Sequence, residues 1–463
     1  MESVGSSNKK HKANEDIISN LPDSLITYIL SCVPTKDAAR TSVLSKRWID
    51  CWTFVTKVNL DDSMFFKHKK KKSGGKRYFI NFVNRALHLT KSNTAESFSL
   101  VITNKYDISL LNTWISGILK RNVKKLSITT YLELPFSAYT SHILFNYSYK
   151  LEELVLEMRC CSIKVPPCSS YDTCSFGSLN VIKLCGIMFT MDESLGILFR
   201  TLKKFEMKNC SWLSTDDVTL ELNAPLLESV LINQQFRSVN RETRSCKIKF
   251  SASCMKEFTY RGYGMSQAII LSDPSAARNA SAKITLDKEY GNSVQETQSC
   301  ASLLLKQFSQ VKCIQFYGLE VLTKQNVAVL PKFAMLSHLD LGYITGEVWF
   351  GLLHKTPVLN TLVFKRIFEF NQELLNSADV PDCLASSLQV VKFGTFHGLE
   401  DALFLANIFL ENGMVLERMS FSFYDERSKS TVIEEFKEKL YSFKKGVSFA
   451  ILDDNLYSYD YYR

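Results

Sequence analysis

Along this chain apolar residues recur in the spacing φ-x-x-φ-x-φ, where φ is apolar and x is any residue. Clear copies begin at Val123, Leu151, Leu179, Leu202, Leu227, Met255, Val311, Leu336, Leu359, Leu388 and Leu416. Weaker copies begin at Val55, Ser97 and Ser281, and from Ser97 onward the copies start 23–30 residues apart. Chance supplies one or two such matches, not a series of them at this spacing. The last two φ positions of each copy are two residues apart, so on a short strand they face the same side. Some return segments carry helical spacing instead, as at Ile108, Leu111, Ile115 and Ile118, and at Ile433, Phe436, Leu440 and Phe443. One strand and one helix cannot bury their apolar faces alone, so neighbouring units must stack. The pattern predicts an α/β solenoid: a curved parallel sheet with helices outside. An open doubly wound sheet is the competing architecture. Several gaps are too short for its crossover helices, and no glycine-rich phosphate loop follows a strand.

Residues 15–53 break the repeat. Pro22 and Asp23 suit a first helical turn, and Leu25, Ile29 and Leu30 then form an apolar face that Pro34 ends. Thr35 is placed to cap a second helix through Ala38, Ala39 and Val43. Ser45 is placed to cap a third, with Trp48 and Trp52 four residues apart. Three helices in so short a stretch bury little surface, so the segment must lean on the adjoining repeats or on a partner.

Composition narrows the class. The 463 residues are 46% hydrophobic and 22% charged, which is ordinary for a globular chain. Single cores stop growing near roughly 250–300 residues, so the chain divides into domains or extends as an array. No apolar run approaches the ~20 residues of a membrane span, and the polar N-terminus has no signal-like core. No membrane association is expected. The 13 cysteines contain no CxxC pair, and Cys160, Cys161, Cys168 and Cys174 fit no common zinc spacing. Reduced thiols without a metal are the expectation.

The net charge of +9 is local. Residues 67–77 hold seven Lys and Arg, and without them the chain stands at +2. A solvated loop is expected there, with Lys69, Lys70, Lys71 and Lys72 as a candidate nuclear-import run. Nothing in this pattern calls for direct DNA binding. The seven histidines are dispersed, and HExxH, GxSxG and Walker motifs are all missing, so a non-catalytic role without cofactor is expected.

Three segments carry a resemblance to a known family. Leu21-Pro22, the Val33–Ala38 turn and Thr41–Trp48 resemble the F-box. The stretch from Val380 to Asp453 resembles the FBD module. The repeats between them resemble irregular leucine-rich repeats, with Cys210 alone matching the Asn or Cys that typically follows the strand. This order is that of the plant F-box/FBD/LRR family. The organisation expected is a tail at 1–14, F-box at 15–53, repeats at 54–379, FBD at 380–453 and a tail at 454–463. The resemblance implies that the F-box docks a Skp-type adaptor of a cullin-RING ubiquitin ligase while the repeats capture a protein substrate, in the nucleus or cytoplasm. A non-ligase interaction scaffold is the alternative.

The adaptor-binding candidates are Leu21, Pro22, Leu25, Ile29, Leu30, Pro34, Val43, Leu44 and Trp48. Leu21, Pro22 and Leu30 are expected to face outward and Trp48 inward. Candidate substrate contacts on the strand face include Lys125, Glu153, Lys183, Lys204, Glu257 and His338. Their mixed signs favour no one ligand class.

Overall fold

The structure, a computed structural model, describes residues 20–66, 72–90, 96–121, 123–132, 150–165, 176–214, 217–234, 244–262, 269–286, 294–344, 348–367, 372, 379–396, 399–423, 430–443 and 446–453. The chain forms two compact units, Met1–Thr129 and Thr130–Arg463.

The first unit opens with helices α1 (Asp23–Ser31) and α2 (Thr35–Arg40) and 3-10 turns at Thr41–Val43, Lys46–Trp48 and Cys51–Phe54. Strand β1 (Lys57–Asp61), α3 (Lys72–Leu89), β2 (Ser97–Ile102), α4 (Ile108–Leu119) and β3 (Lys125–Thr130) follow. β1 and β2 run parallel, with Val58 opposite Phe98 and Leu60 opposite Leu100, and all four side chains are buried. That register puts the weak copy at Ser97 two residues earlier than the spacing suggested.

A buried carboxylate fixes the ends of these strands. Asp62 accepts hydrogen bonds from the Thr103 and Asn104 amides, from the Thr103 hydroxyl and Asn104 side-chain amide, and from the Tyr106 hydroxyl at 3.2 Å. Five donors satisfy a charge that burial would otherwise make costly. Beside it, Phe79 meets Trp114 edge-on at 5.8 Å, packing α3 against α4.

The basic segment corrects one expectation. Lys69–Lys71 lie outside the described residues, but the chain from Lys72 is helical, not looped. Gly75 is buried in that helix, and a Cβ there would lie 2.8 Å from the Phe65 carbonyl oxygen. The glycine that read as a loop residue admits close packing.

The strands of the second unit are β4 (Glu153–Lys164), β5 (Val181–Thr190), β6 (Leu195–Leu198), β7 (Lys204–Lys208), β8 (Ser211–Ser214), β9 (Thr219–Asn223) and β10 (Ser229–Gln234). They continue as β11 (Arg244–Ser245), β12 (Lys247–Ser251), β13 (Glu257–Gly262), β14 (Ile269–Leu271), β15 (Ser281–Leu286), β16 (Cys313–Tyr317) and β17 (His338–Ile344). The last are β18 (Thr361–Ile367), β19 (Val390–Phe396), β20 (Arg418–Phe423) and β21 (Ser448–Asp453).

Twelve of these strands pair in parallel in the order β4, β5, β7, β10, β13, then β15 through β21. Their register aligns the φ positions in columns. Phe205, Val230 and Phe258 stand in one column, and Met207, Ile232 and Tyr260 in the next, all buried. Ala282 and Ile284 continue those columns, again two residues earlier than the copy placed at Ser281. β21 was not legible as a copy, because its first φ position is Gly446 and only Phe449 and Ile451 carry the pattern.

The expectation of helices outside holds only in part. Between Leu195 and Leu271 the return segments are strands: β6, β9, β12 and β14 form a second parallel sheet. Their sequences alternate with period two, as in Leu220-x-Leu222 and Ile248-x-Phe250, whose side chains are buried. A strand rises about 3.3 Å per residue against about 1.5 Å in a helix, so a few extended residues cross a unit. Helices return as α5 (Val294–Gln307), α6 (Lys324–Ala328), α7 (Val348–Leu353), α8 (Asp382–Ser386), α9 (Leu399–Asn412) and α10 (Ser430–Phe443).

The C-terminal region continues the sheet without a break. Leu362 stands opposite Val391 and Phe364 opposite Phe393. Phe364, Phe393 and Phe421 stack at 5.5 and 5.0 Å, and Phe409 meets Phe393 edge-on at 5.9 Å. Ending the chain after Asn376 would strip Leu362 and Phe364 of these neighbours and open the edge of β18. That fragment is expected to be insoluble or to lose cooperative melting, read by sedimentation and thermal denaturation beside the full chain.

Candidate functional site

The helical segment before β1 has one face that packs and one that does not. In α1, Ile26 and Leu30 are buried, while Leu25, Tyr28 and Ile29 are exposed. The i, i+3, i+4 spacing of the exposed trio gathers them on one side of the helix. Pro22 occupies the cap position, with helical geometry starting at Asp23. In α2 the cap is Pro34 and not Thr35. Thr35 is buried, and its hydroxyl accepts the Asn59 amide at 2.7 Å. The Ser31 hydroxyl accepts the Thr56 amide at 3.1 Å, and Lys36 Nζ donates to the Met64 carbonyl at 2.7 Å. Both helices are thereby tied to β1 and the turn after it.

The expected third helix is instead two 3-10 turns, because Ser45 is extended and makes no side-chain cap. These turns place Arg47 against the start of α1. Its Nε donates to Asp23 Oδ1 at 2.8 Å, and Nη2 donates to the Leu21 carbonyl. Arg47 lies in the Thr41–Trp48 motif, but no local spacing marks it, since only the fold brings it back to Asp23, 24 residues earlier.

The nine candidates separate by exposure. Pro22, Leu25 (49% exposed), Ile29 (46%), Val43 (87%) and Leu44 (66%) lie open to solvent. Leu21, Pro34 and Trp48 are half-buried, with Leu21 expected to face outward and Trp48 inward. Leu30 is a correction: at 3% exposed it faces the interior of the unit and cannot be a docking residue. Its place next to Ile29 hid this, because neighbours on a helix lie about 100° apart. Tyr28, Val33, Ile49 and Phe54 are exposed apolar side chains that the sequence reading passed over. Among the described residues, eight large exposed apolar side chains fall within residues 25–54. A short segment with that much uncovered apolar surface marks an interaction site.

The strand-face candidates are scattered. Lys125, Lys204 and Glu257 are exposed, and Glu153, Lys183 and His338 are half-buried. Burial depresses the affinity of the His338 imidazole for a proton and raises the carboxyl of neighbouring Asp340 above its ordinary value. The described residues include no group of His, Cys, Asp and Glu able to hold a metal and no helix long and apolar enough to cross a membrane. Cys168 and Cys174 lie outside the described residues.

The chain thus holds a helical segment with an exposed apolar face in the first unit and stacked parallel strands with the spacing of a repeat in the second. The F-box family model matches residues 18–57, and the FBD family model matches residues 376–421. The chain is 26% identical over 446 residues to an F-box/FBD/LRR-repeat protein of Arabidopsis thaliana, covering 93% of this chain and 92% of that protein. It is 26% identical over 462 residues to an FBD-associated F-box protein of the same plant, covering 89% and 92%. An F-box/LRR-repeat protein of that plant is 25% identical over 443 residues, covering 90% of each chain. The chain thus carries an F-box, a leucine-rich-repeat body and an FBD, the organisation of the F-box/FBD/LRR-repeat proteins that it resembles over most of its length.

Exposure separates two roles within one helix. Leu30→Ala is expected to lower unfolding stability by about 2–5 kcal/mol, while Leu25→Ala stays within about 0.5 kcal/mol. Denaturant titration of the two variants measures the difference. Equal losses would show that Leu25 packs inside the unit.

Proposed function

We propose that this protein is the substrate-recognition subunit of a Skp–cullin–F-box ubiquitin ligase. In this reading the F-box docks a Skp-type adaptor, and the repeats hold a protein substrate for ubiquitination. The observation that carries it is the uncovered apolar surface of residues 25–54, which coincides with the F-box match. Exposed Leu25, Ile29, Val43 and Leu44 supply apolar area for the adaptor, with Tyr28 and Ile49 beside them in the chain. Buried Ile26 and Leu30 hold α1 in place, and Arg47 pins its first turn. The role is that of a receptor, with catalysis left to other subunits of the ligase.

Replacing both Leu25 and Ile29 by Asp places carboxylates in the proposed interface without touching the interior of the unit. Each should cost several kcal/mol on binding, and every ~1.4 kcal/mol is tenfold in affinity. Capture of a Skp-type adaptor is therefore expected to fall at least about 100-fold, with circular dichroism unchanged. Retained capture by a folded double variant would refute the docking surface. A reconstituted ligase that captures adaptor and cullin but modifies no co-purifying protein would favour the scaffold reading.

A further inference from the structure

The main sheet of the second unit has two kinds of position. The φ columns are buried, and the residues that alternate with them form three further columns on the opposite, open face. Register sorts the charges on that face. In β4, β5 and β7 it holds Glu153, Glu157 and Glu206 against Lys183, Lys204 and Lys208, and Lys204 Nζ lies 2.8 Å from Glu206 Oε1. Acid and base balance there. From β15 to β20 the same columns hold Lys283, Lys365, Lys392 and Arg418 against one acid, Asp340.

That single acid is already occupied by the fold. Asp340 is 5% exposed, and the Tyr317 hydroxyl donates to its Oδ2 at 3.0 Å, with Lys365 Nζ 3.5 Å away. Gly342 allows this: a Cβ there would come within 2.9 Å of the Tyr317 ring. Lys283 Nζ stands 5.9 Å from the centre of the same ring. Lys392 and Arg418 are exposed, and no ion pair joins either of them among the described residues. Asp340 Oδ1 is buried and accepts no hydrogen bond there. Lys365 faces Asp340, so Lys283, Lys392 and Arg418 are the cations of these columns that no acid of the same columns balances.

We propose that this half of the sheet face docks an acidic segment of a partner protein through Lys283, Lys392 and Arg418. The proposal rests on reading the repeats as the capture surface and names the chemistry captured. Lys283 and Arg418 stand five strand spacings apart, about 24 Å, which an extended segment of about seven residues would span. A nucleic acid fits the face less well. Among the described residues of these columns only Tyr317 and His338 carry rings, too few to stack successive bases along the face.

Fluorescence anisotropy on the full chain tests this with labelled peptides of about ten residues, one alternating Glu and Ser and one alternating Lys and Ser. A thymidine oligonucleotide of about the same length is the third probe. The acidic peptide is expected to bind in preference to both others, and Lys392→Glu/Arg418→Glu to weaken it about tenfold or more. Lys204→Glu/Lys208→Glu makes the same change in net charge in the balanced half and should alter affinity less than about twofold. Equal losses in the two double variants, equal binding of the oligonucleotide, or no preference for the acidic peptide would each overturn the proposal. Adaptor capture by the same preparations is scored separately. A chain that captures adaptor but not the acidic peptide refutes this inference alone, whereas failure to capture adaptor refutes the ligase reading whatever the peptide does.

Discussion

The second unit depends on one constraint: no repeat can bury its own two φ side chains. A strand of five or six residues has one apolar face and two open edges, and only a parallel neighbour in matching register satisfies both. The columns Phe205–Val230–Phe258 and Met207–Ile232–Tyr260 are the outcome. Each added unit covers the last and exposes itself, so stability is shared between neighbours. The stack Phe364–Phe393–Phe421 carries the same logic with aromatic rings into the C-terminal region, which belongs to the sheet and not to a tethered module.

Once the columns bear the packing, the other positions are released from it. On the return side either a helix or a short strand will do, provided it covers the φ columns. The change from strands (β6, β9, β12, β14) to helices (α5 onward) costs the main sheet nothing in register. On the open face the side chains can vary in charge without disturbing the core. That freedom lets the balanced charges of β4, β5 and β7 give way to a basic half at β15–β20.

The first unit meets the same need by different means. Its helices are too short to be stable alone, and they are held by polar ties to β1 through Ser31, Thr35 and Lys36. Asp62 then binds the turn after β1 to the turn after β2 with five donors. With α1 anchored along Ile26 and Leu30, its opposite face is left uncovered. The segment thus combines a fixed mount with an exposed apolar face.

The sequence by itself determined the repeat and the segment outside it. Both are written in local spacing, which requires only that a strand or helix present one apolar side. The copies at Leu179, Leu202, Leu227, Leu359 and Leu388 are strands where the spacing put them, and α4 buries Leu111, Ile115 and Ile118 as its periodicity implied. The tertiary structure decided what depends on residues far apart in the chain. Pairing with β1 moved the copy at Ser97 by two residues, a slip that period-two alternation leaves ambiguous until a neighbour picks the register. Burial against the rest of its unit turned Leu30 inward while adjacent Ile29 stayed open. Arg47 acquired its role because folding brought it to Leu21 and Asp23. The segregation of charge on the open face likewise arises only in register, since Lys283 and Arg418 are 135 residues apart in the chain and come onto one face only through five successive strand pairings.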